Sequence, residues 1–116
     1  MNENLVTEIR GLIALGTEGT YWDFKGEWHE NNADLLHDII CMANNIDNRD
    51  AYIIIGVSDP PCCKVSGNLI NNKKTQQNLI DFLKDKKFAG DIRPTVYVKT
   101  LQIENNEIDI IIVKTQ

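Results

Sequence analysis

Residues 51–57 read Ala-Tyr-Ile-Ile-Ile-Gly-Val, a nearly continuous apolar run. A strand covered on both faces has that composition, so this segment is expected at the centre of a sheet. Upstream, residues 20–25 (Thr-Tyr-Trp-Asp-Phe-Lys) are β-branched and aromatic with alternation, and read as a second strand. Trp22 and Phe24 then point one way, and Tyr21, Asp23 and Lys25 the other. Between the two runs, Leu35, Leu36, Ile39, Ile40, Met42, Ala43 and Ile46 form one broad apolar face of a helix spanning about 33–46. Asn32 is its expected N-cap, Asp34 suits the helix dipole, and Asn44 and Asn45 suit its C-terminal end.

The rest of the chain extends this pattern. Leu5, Ile9, Leu12 and Ile13 recur at helical spacing, with Gly16 as the stop. Residues 58–67, rich in Pro and Gly, read as a loop. Thr75 is placed to cap a third helix carrying Leu79, Ile80, Phe82 and Leu83 and ending near residues 88–90. A strand at about 95–103, a tight turn at Glu104-Asn105-Asn106-Glu107 and a last strand at 108–113 follow. The order α-β-α-β-α-β-β predicts an α/β (α+β) fold, a single mixed sheet of four or five strands flanked by helices. A strand so close to residue 116 suggests that residues 1–116 are one domain, the N-terminal part of a longer protein. A C-terminal strand with an unpaired side would invite a partner, which makes a homodimer one expectation.

Composition narrows the function classes. The hydrophobic fraction of 42% and charged fraction of 25% are ordinary for a globular domain. No apolar run approaches the roughly 20 residues that span a bilayer, and residues 1–4 lack a basic signal-peptide region, so a cytoplasmic protein is expected, with no membrane partner. Cys41 reads as a small buried hydrophobe, and adjacent Cys62 and Cys63 do not suit a disulfide. His29 and His37 stand at no zinc-ligand spacing from a cysteine. Net charge is −5, unevenly spread. Residues 1–60 hold three basic and eleven acidic residues, a net of −8. Residues 71–93 hold Lys73, Lys74, Lys84, Lys86, Lys87 and Arg93 against three acids, a net of +3. That segment is compatible with a basic patch for nucleic acid and equally with a solvated helix face.

Three acids, Glu18, Asp23 and Asp59, sit at strand starts or ends. Converging, they would supply oxygen ligands for Mg²⁺ or Mn²⁺; apart, they cap turns and face solvent. Tyr21, Trp22 and Trp28 are candidate stacking platforms for unpaired bases, with Trp28, in a polar loop, the best of them, and Lys25 is a candidate phosphate contact. No G-x-x-x-x-G-K-[ST] occurs, so nucleotide hydrolysis is not expected.

Four pieces occur in order: Glu18-Gly-Thr-Tyr-Trp-Asp-Phe-Lys25, Met42-Ala-Asn-Asn45, Ile53-Ile-Ile-Gly-Val-Ser-Asp59 and a downstream Gly67. Together they resemble the Schlafen/AlbA-type domain family over roughly residues 5–113. The family's second acid is usually Glu, where this chain has Asp23, and Asp47-Asn48-Arg49-Asp50 stands where many members have Gly-Gly. The resemblance implies a DNA-binding domain of a bacterial regulator-like protein. Its alternative implication is a metal-dependent endoribonuclease with Glu18, Asp23 and Asp59 as catalytic and metal-binding acids. That activity uses two copies of the lobe, so a single-copy chain would dimerise.

Overall fold

A computed structural model describes residues 2–67, 72–86, 88 and 93–115. The elements are α1 (Asn2–Ala14), β1 (Trp22–Lys25), α2 (Asn32–Ala43), β2 (Ala51–Ile55), α3 (Gln76–Lys84), β3 (Val96–Ile103) and β4 (Asn106–Val113). The four strands form one mixed sheet in the order β1-β2-β4-β3, with helices on both faces, which is the expected fold class. Among the described residues no helix is long and apolar enough to cross a membrane.

β2 is the centre of the molecule. It pairs in parallel with β1 and antiparallel with β4, and all five of its residues are buried. Tyr52 and Ile54 join Phe24, Ile108 and Ile110 on one face, against Ile9 and Leu12 of α1. Ile53 and Ile55 join Ile111 and Val113 on the other, against Leu35 and Ile39 of α2 and Leu79 and Leu83 of α3. Each fully buried aliphatic side chain contributes about 1.5–3 kcal/mol, so this two-sided burial is the main source of cohesion.

Local chemistry explains the element ends. Asn31, not Asn32, caps α2: its Oδ1 accepts from Asp34 N at 2.8 Å. The helix stops at Ala43 with Asn44 as C-cap. Asn45 then closes the following turn, its Nδ2 donating to Met42 O and Arg49 O and its Oδ1 accepting from Arg49 N. Ile46 is thereby carried off the apolar face on which it was expected, and is 82% exposed. Thr75 and Asn78 form a reciprocal capping box at the start of α3. The helix ends at Lys84 rather than near residues 88–90, of which residues 89 and 90 lie outside the described residues. Positive φ at Glu104 and Asn105 makes the two-residue turn between β3 and β4.

Two expectations are corrected by the packing. The C-terminal strand β4 is interior, paired on both sides, so it offers no free edge. The edges are β1 and β3, and both carry hydrogen bonds where another strand would pair. On β1, Phe24 N donates to Glu18 Oε2 at 3.0 Å and Trp22 O accepts from Gly19 N. On β3, the Gln76 amide donates to Val96 O at 2.7 Å and accepts from Val98 N at 2.6 Å. Cys41 is exposed on α2, its Sγ beside His37, and it is Cys63 that is buried.

Candidate functional site

The turn between α1 and β1 builds one side of the candidate site. Gly16, at φ +70°, ends α1 as expected. The Trp22 ring folds back over this turn, with its Nε1 donating to Thr17 O at 2.8 Å. A Cβ at Gly19 would collide with that ring. The folded turn brings Glu18 alongside β1, where one carboxylate oxygen takes the Phe24 N–H and the side chain hydrogen-bonds Asp23. Two carboxyl groups in contact must share a proton. Burial, followed by the hydrogen bond to Glu18, raises Asp23 to about 7. Glu18 is lowered, first by its bond to Asp23, then by the Phe24 N–H and Lys25, against the upward push of burial.

The pair continues into a charged network on the α2 side of the sheet. Lys25 Nζ lies 3.4 Å from Asp23 Oδ2 and 3.3 Å from Asp38 Oδ2 of α2. His29 Nε2 lies 2.7 Å from the same Asp38 oxygen. Burial pushes Asp38 up, yet His29 and Lys25 together hold it below the usual carboxylate range. The His29 ring is almost completely covered, and its Nδ1 has no hydrogen-bond partner. Lys25, expected as a phosphate contact, is thus engaged by two carboxylates.

Asp59 is exposed in the turn after β2. Its loop approaches the turn at Gly16, since a Cβ there would lie 3.9 Å from Pro61 O. Cys63 lies within the electrostatic reach of both Glu18 and Asp59, and burial first, then Cys62 and those acids, raises its thiol. The loop therefore brings Asp59 to the Glu18 side of the molecule but not into the Glu18–Asp23 contact. Among the described residues, no group of three or more His, Cys, Asp or Glu side chains is placed to hold a metal ion.

A second polar centre was not anticipated. Trp28, expected as a surface platform, is 2% exposed and packs between β2, β4 and α2, leaving no ring face for a base. Its Nε1 donates to Asp109 Oδ2 at 2.8 Å. Asp109 is fully buried on β4, with Thr100 Oγ1 donating to Oδ1 at 2.7 Å and Lys73 Nζ 3.6 Å from Oδ2. The signal for Asp109 was a charged residue at an inward position within Ile-Asp-Ile-Ile-Ile-Val. Nothing in the sequence signalled His29 and Asp38, which meet Lys25 only through space. Tyr21 and Trp22 are half-buried and in edge-to-face contact, and Arg49 lies over the Tyr21 ring.

The basic segment surrounds α3. Lys84, Lys86 and Arg93 are exposed, Lys74 is half-buried, and none has an ion pair among the described residues, whereas Lys73 meets Asp109. Lys86 also lies over the Phe82 ring. Lys87 lies outside the described residues. Arg93 borders a cleft of about 500 Å³ between α3 and β3, with Gln76, Ile80 and Leu83 among its walls.

The Schlafen, AlbA_2 family matches residues 18–116, and the chain belongs to that family. Comparison with curated proteins and with solved structures gives no match.

Proposed function

We propose that the chain is a nucleic-acid-binding module, as expected of a DNA-binding domain in a regulator-like protein. The observation that carries this reading is membership of the Schlafen, AlbA_2 family. It is supported by the free cations at α3: Lys84, Lys86 and Arg93 are exposed and unpaired among the described residues, while the acidic half of the chain spends Lys25 and Arg49 on its own carboxylates. Affinity falls steeply with salt, because phosphate binding releases counterions. Replacing Lys84, Lys86 and Arg93 together by Gln weakens binding to all sequences alike and lowers the salt slope on duplex DNA by about 2–3. Absence of binding at low salt to both single- and double-stranded DNA and RNA overturns the reading.

The second reading, an endoribonuclease on Glu18, Asp23 and Asp59, is favoured by the Glu18–Asp23 contact and the raised Asp23. Cleavage of structured RNA with Mn²⁺, compared between wild type and Asp23→Asn, tests it. Cleavage that survives both a chelator and the substitution eliminates those acids as its centre.

A further inference from the structure

One part of the sheet is left uncovered on the α1 face. Along β3, side chains alternate: Leu101 and Ile103 belong to the α1-side core, and Tyr97 and Lys99 share their side of the strand. Leu101 is 2% exposed beneath α1, whereas Tyr97, four residues earlier, is 43% exposed, and Lys99 is exposed. Tyr97 stands opposite Ile112 of β4, a half-buried aliphatic side chain in the same core. Lys114 lies two residues beyond Ile112 and interacts electrostatically with Tyr97. An aromatic ring therefore rests on a folded sheet with an ammonium group toward either end.

The charges around this patch favour an anion. Lys99 has no ion pair among the described residues. Two acids on this side are already engaged: Asp50 by Lys114 at 2.6 Å and by Thr115 N at 2.7 Å, and Glu8 by Arg49 and the Tyr52 hydroxyl, each at 2.8 Å. Tyr97 also borders the α3–β3 cleft together with Arg93, so one further cation lies at the edge of the patch. This is the surface the sequence did not indicate: its aromatic candidates all lay at residues 21–28, and its basic segment ended at Arg93.

We propose that Tyr97 and Lys99 form a stacking platform for single-stranded nucleic acid. An unpaired base lies on the Tyr97 ring, the adjoining phosphate meets Lys99, and the strand continues along β3 toward Arg93. Successive side chains on one face of a strand stand roughly 6–7 Å apart, a separation suited to a base and its neighbouring phosphate. Any base has a π-face, so the platform selects unpaired strands over duplex rather than one sequence over another. The proposal rests on the nucleic-acid reading above and specifies the ligand of that reading.

Fluorescence anisotropy with labelled oligo(dT), oligo(U) and a duplex of equal length tests it. Wild type binds the single strands more tightly than the duplex. Tyr97→Ala loses roughly tenfold or more on both single strands and leaves duplex binding unchanged, while Tyr97→Phe keeps the wild-type affinity. Lys99→Gln loses a few-fold and lowers the single-strand salt slope by about 0.7. Thermal melts establish that each variant is folded, as expected for substitutions of exposed side chains. Tyr97→Ala binding single strands as tightly as wild type overturns the platform and leaves the nucleic-acid reading standing. Wild type that binds none of the three at low salt overturns both.

Discussion

Asp109 and Asp23 lie on the same side of one sheet and have opposite surroundings. Asp109, on the interior strand β4, is fully buried and meets an indole N–H, a threonine hydroxyl and a lysine ammonium. Every neighbour named there donates a proton or carries positive charge, so the ionised carboxylate is matched. Asp23, on the edge strand β1, has one ammonium neighbour, which it shares with Asp38, and a carboxylate, Glu18, in direct contact. An ionised Asp23 would be partly mismatched, and burial with Glu18 holds it as the acid up to about 7. Burial of an acid is therefore not in itself a sign of function: the donor count around it separates a structural acid from one poised to exchange a proton or a cation.

The sharpest way to break that contrast is to remove a donor from the matched centre. Trp28→Phe deletes the Nε1–H that bonds Asp109 and leaves a gap in a packed core. Losing a hydrogen bond to a buried charge costs about 1–3 kcal/mol, and the missing ring volume adds to it, so a total of roughly 3 kcal/mol is expected. Urea unfolding reads the loss directly. Wild-type stability in Trp28→Phe would mean that Asp109 is solvated in solution and that the two acids are not different in kind.

The mismatched centre predicts a pH dependence. The folded state holds the Asp23 proton up to about 7 and the unfolded chain releases it near 4, so this group's stabilisation is present at low pH and lost as pH rises between those values. Glu18 and Asp38 are lowered and act with the opposite sign, in a window below the ordinary carboxylate range. The other ionisable groups of the network are common to both proteins, so the measurement is a difference between wild type and Asp23→Asn. Asn keeps a donor for Glu18 without the charge. The variant is expected to match wild type below about pH 4 and to exceed it near pH 8 by on the order of 1 kcal/mol, the partly exposed pair being screened. Parallel stability curves from pH 5 to 8 would put Asp23 in the same class as Asp109.

The two centres also differ in how far the sequence disclosed them. Periodicity located all seven elements, because burial imposes a period of two on strands and about 3.6 on helices regardless of partner. The Glu18–Asp23 contact stayed open in the sequence, because alternation places Asp23 on one face of β1 but does not say whether Glu18, before the strand, folds back to it. The position of β4 inside the sheet was not legible, since strand order depends on pairing partners rather than on local pattern. Trp28 looked like a surface residue because its neighbours in Gly-Glu-Trp-His-Glu are polar. The hydrogen bond that buries it comes from a residue 81 positions away. The end of α2 was missed for a nearer reason: one side chain, Asn45, captures Met42 O, which Ile46 N would need in a continuing helix, and ties it to Arg49 O in the turn beyond.

Lys73→Gln separates charge from donor geometry at the matched centre. Its Nζ lies 3.6 Å from Asp109 Oδ2, at the outer limit of an ion pair, and the side chain is 44% exposed. Water screens such a pair, so the loss is expected to stay below about 1 kcal/mol, with Trp28 and Thr100 still holding both oxygens. Added salt should shrink the difference between variant and wild type further. A cost equal to that of Trp28→Phe would mean that the ammonium, not the indole and hydroxyl, neutralises Asp109. Both acids would then depend on a lysine, and their different behaviour would have to come from Glu18 alone, which Glu18→Gln would expose by returning Asp23 toward the ordinary carboxylate range.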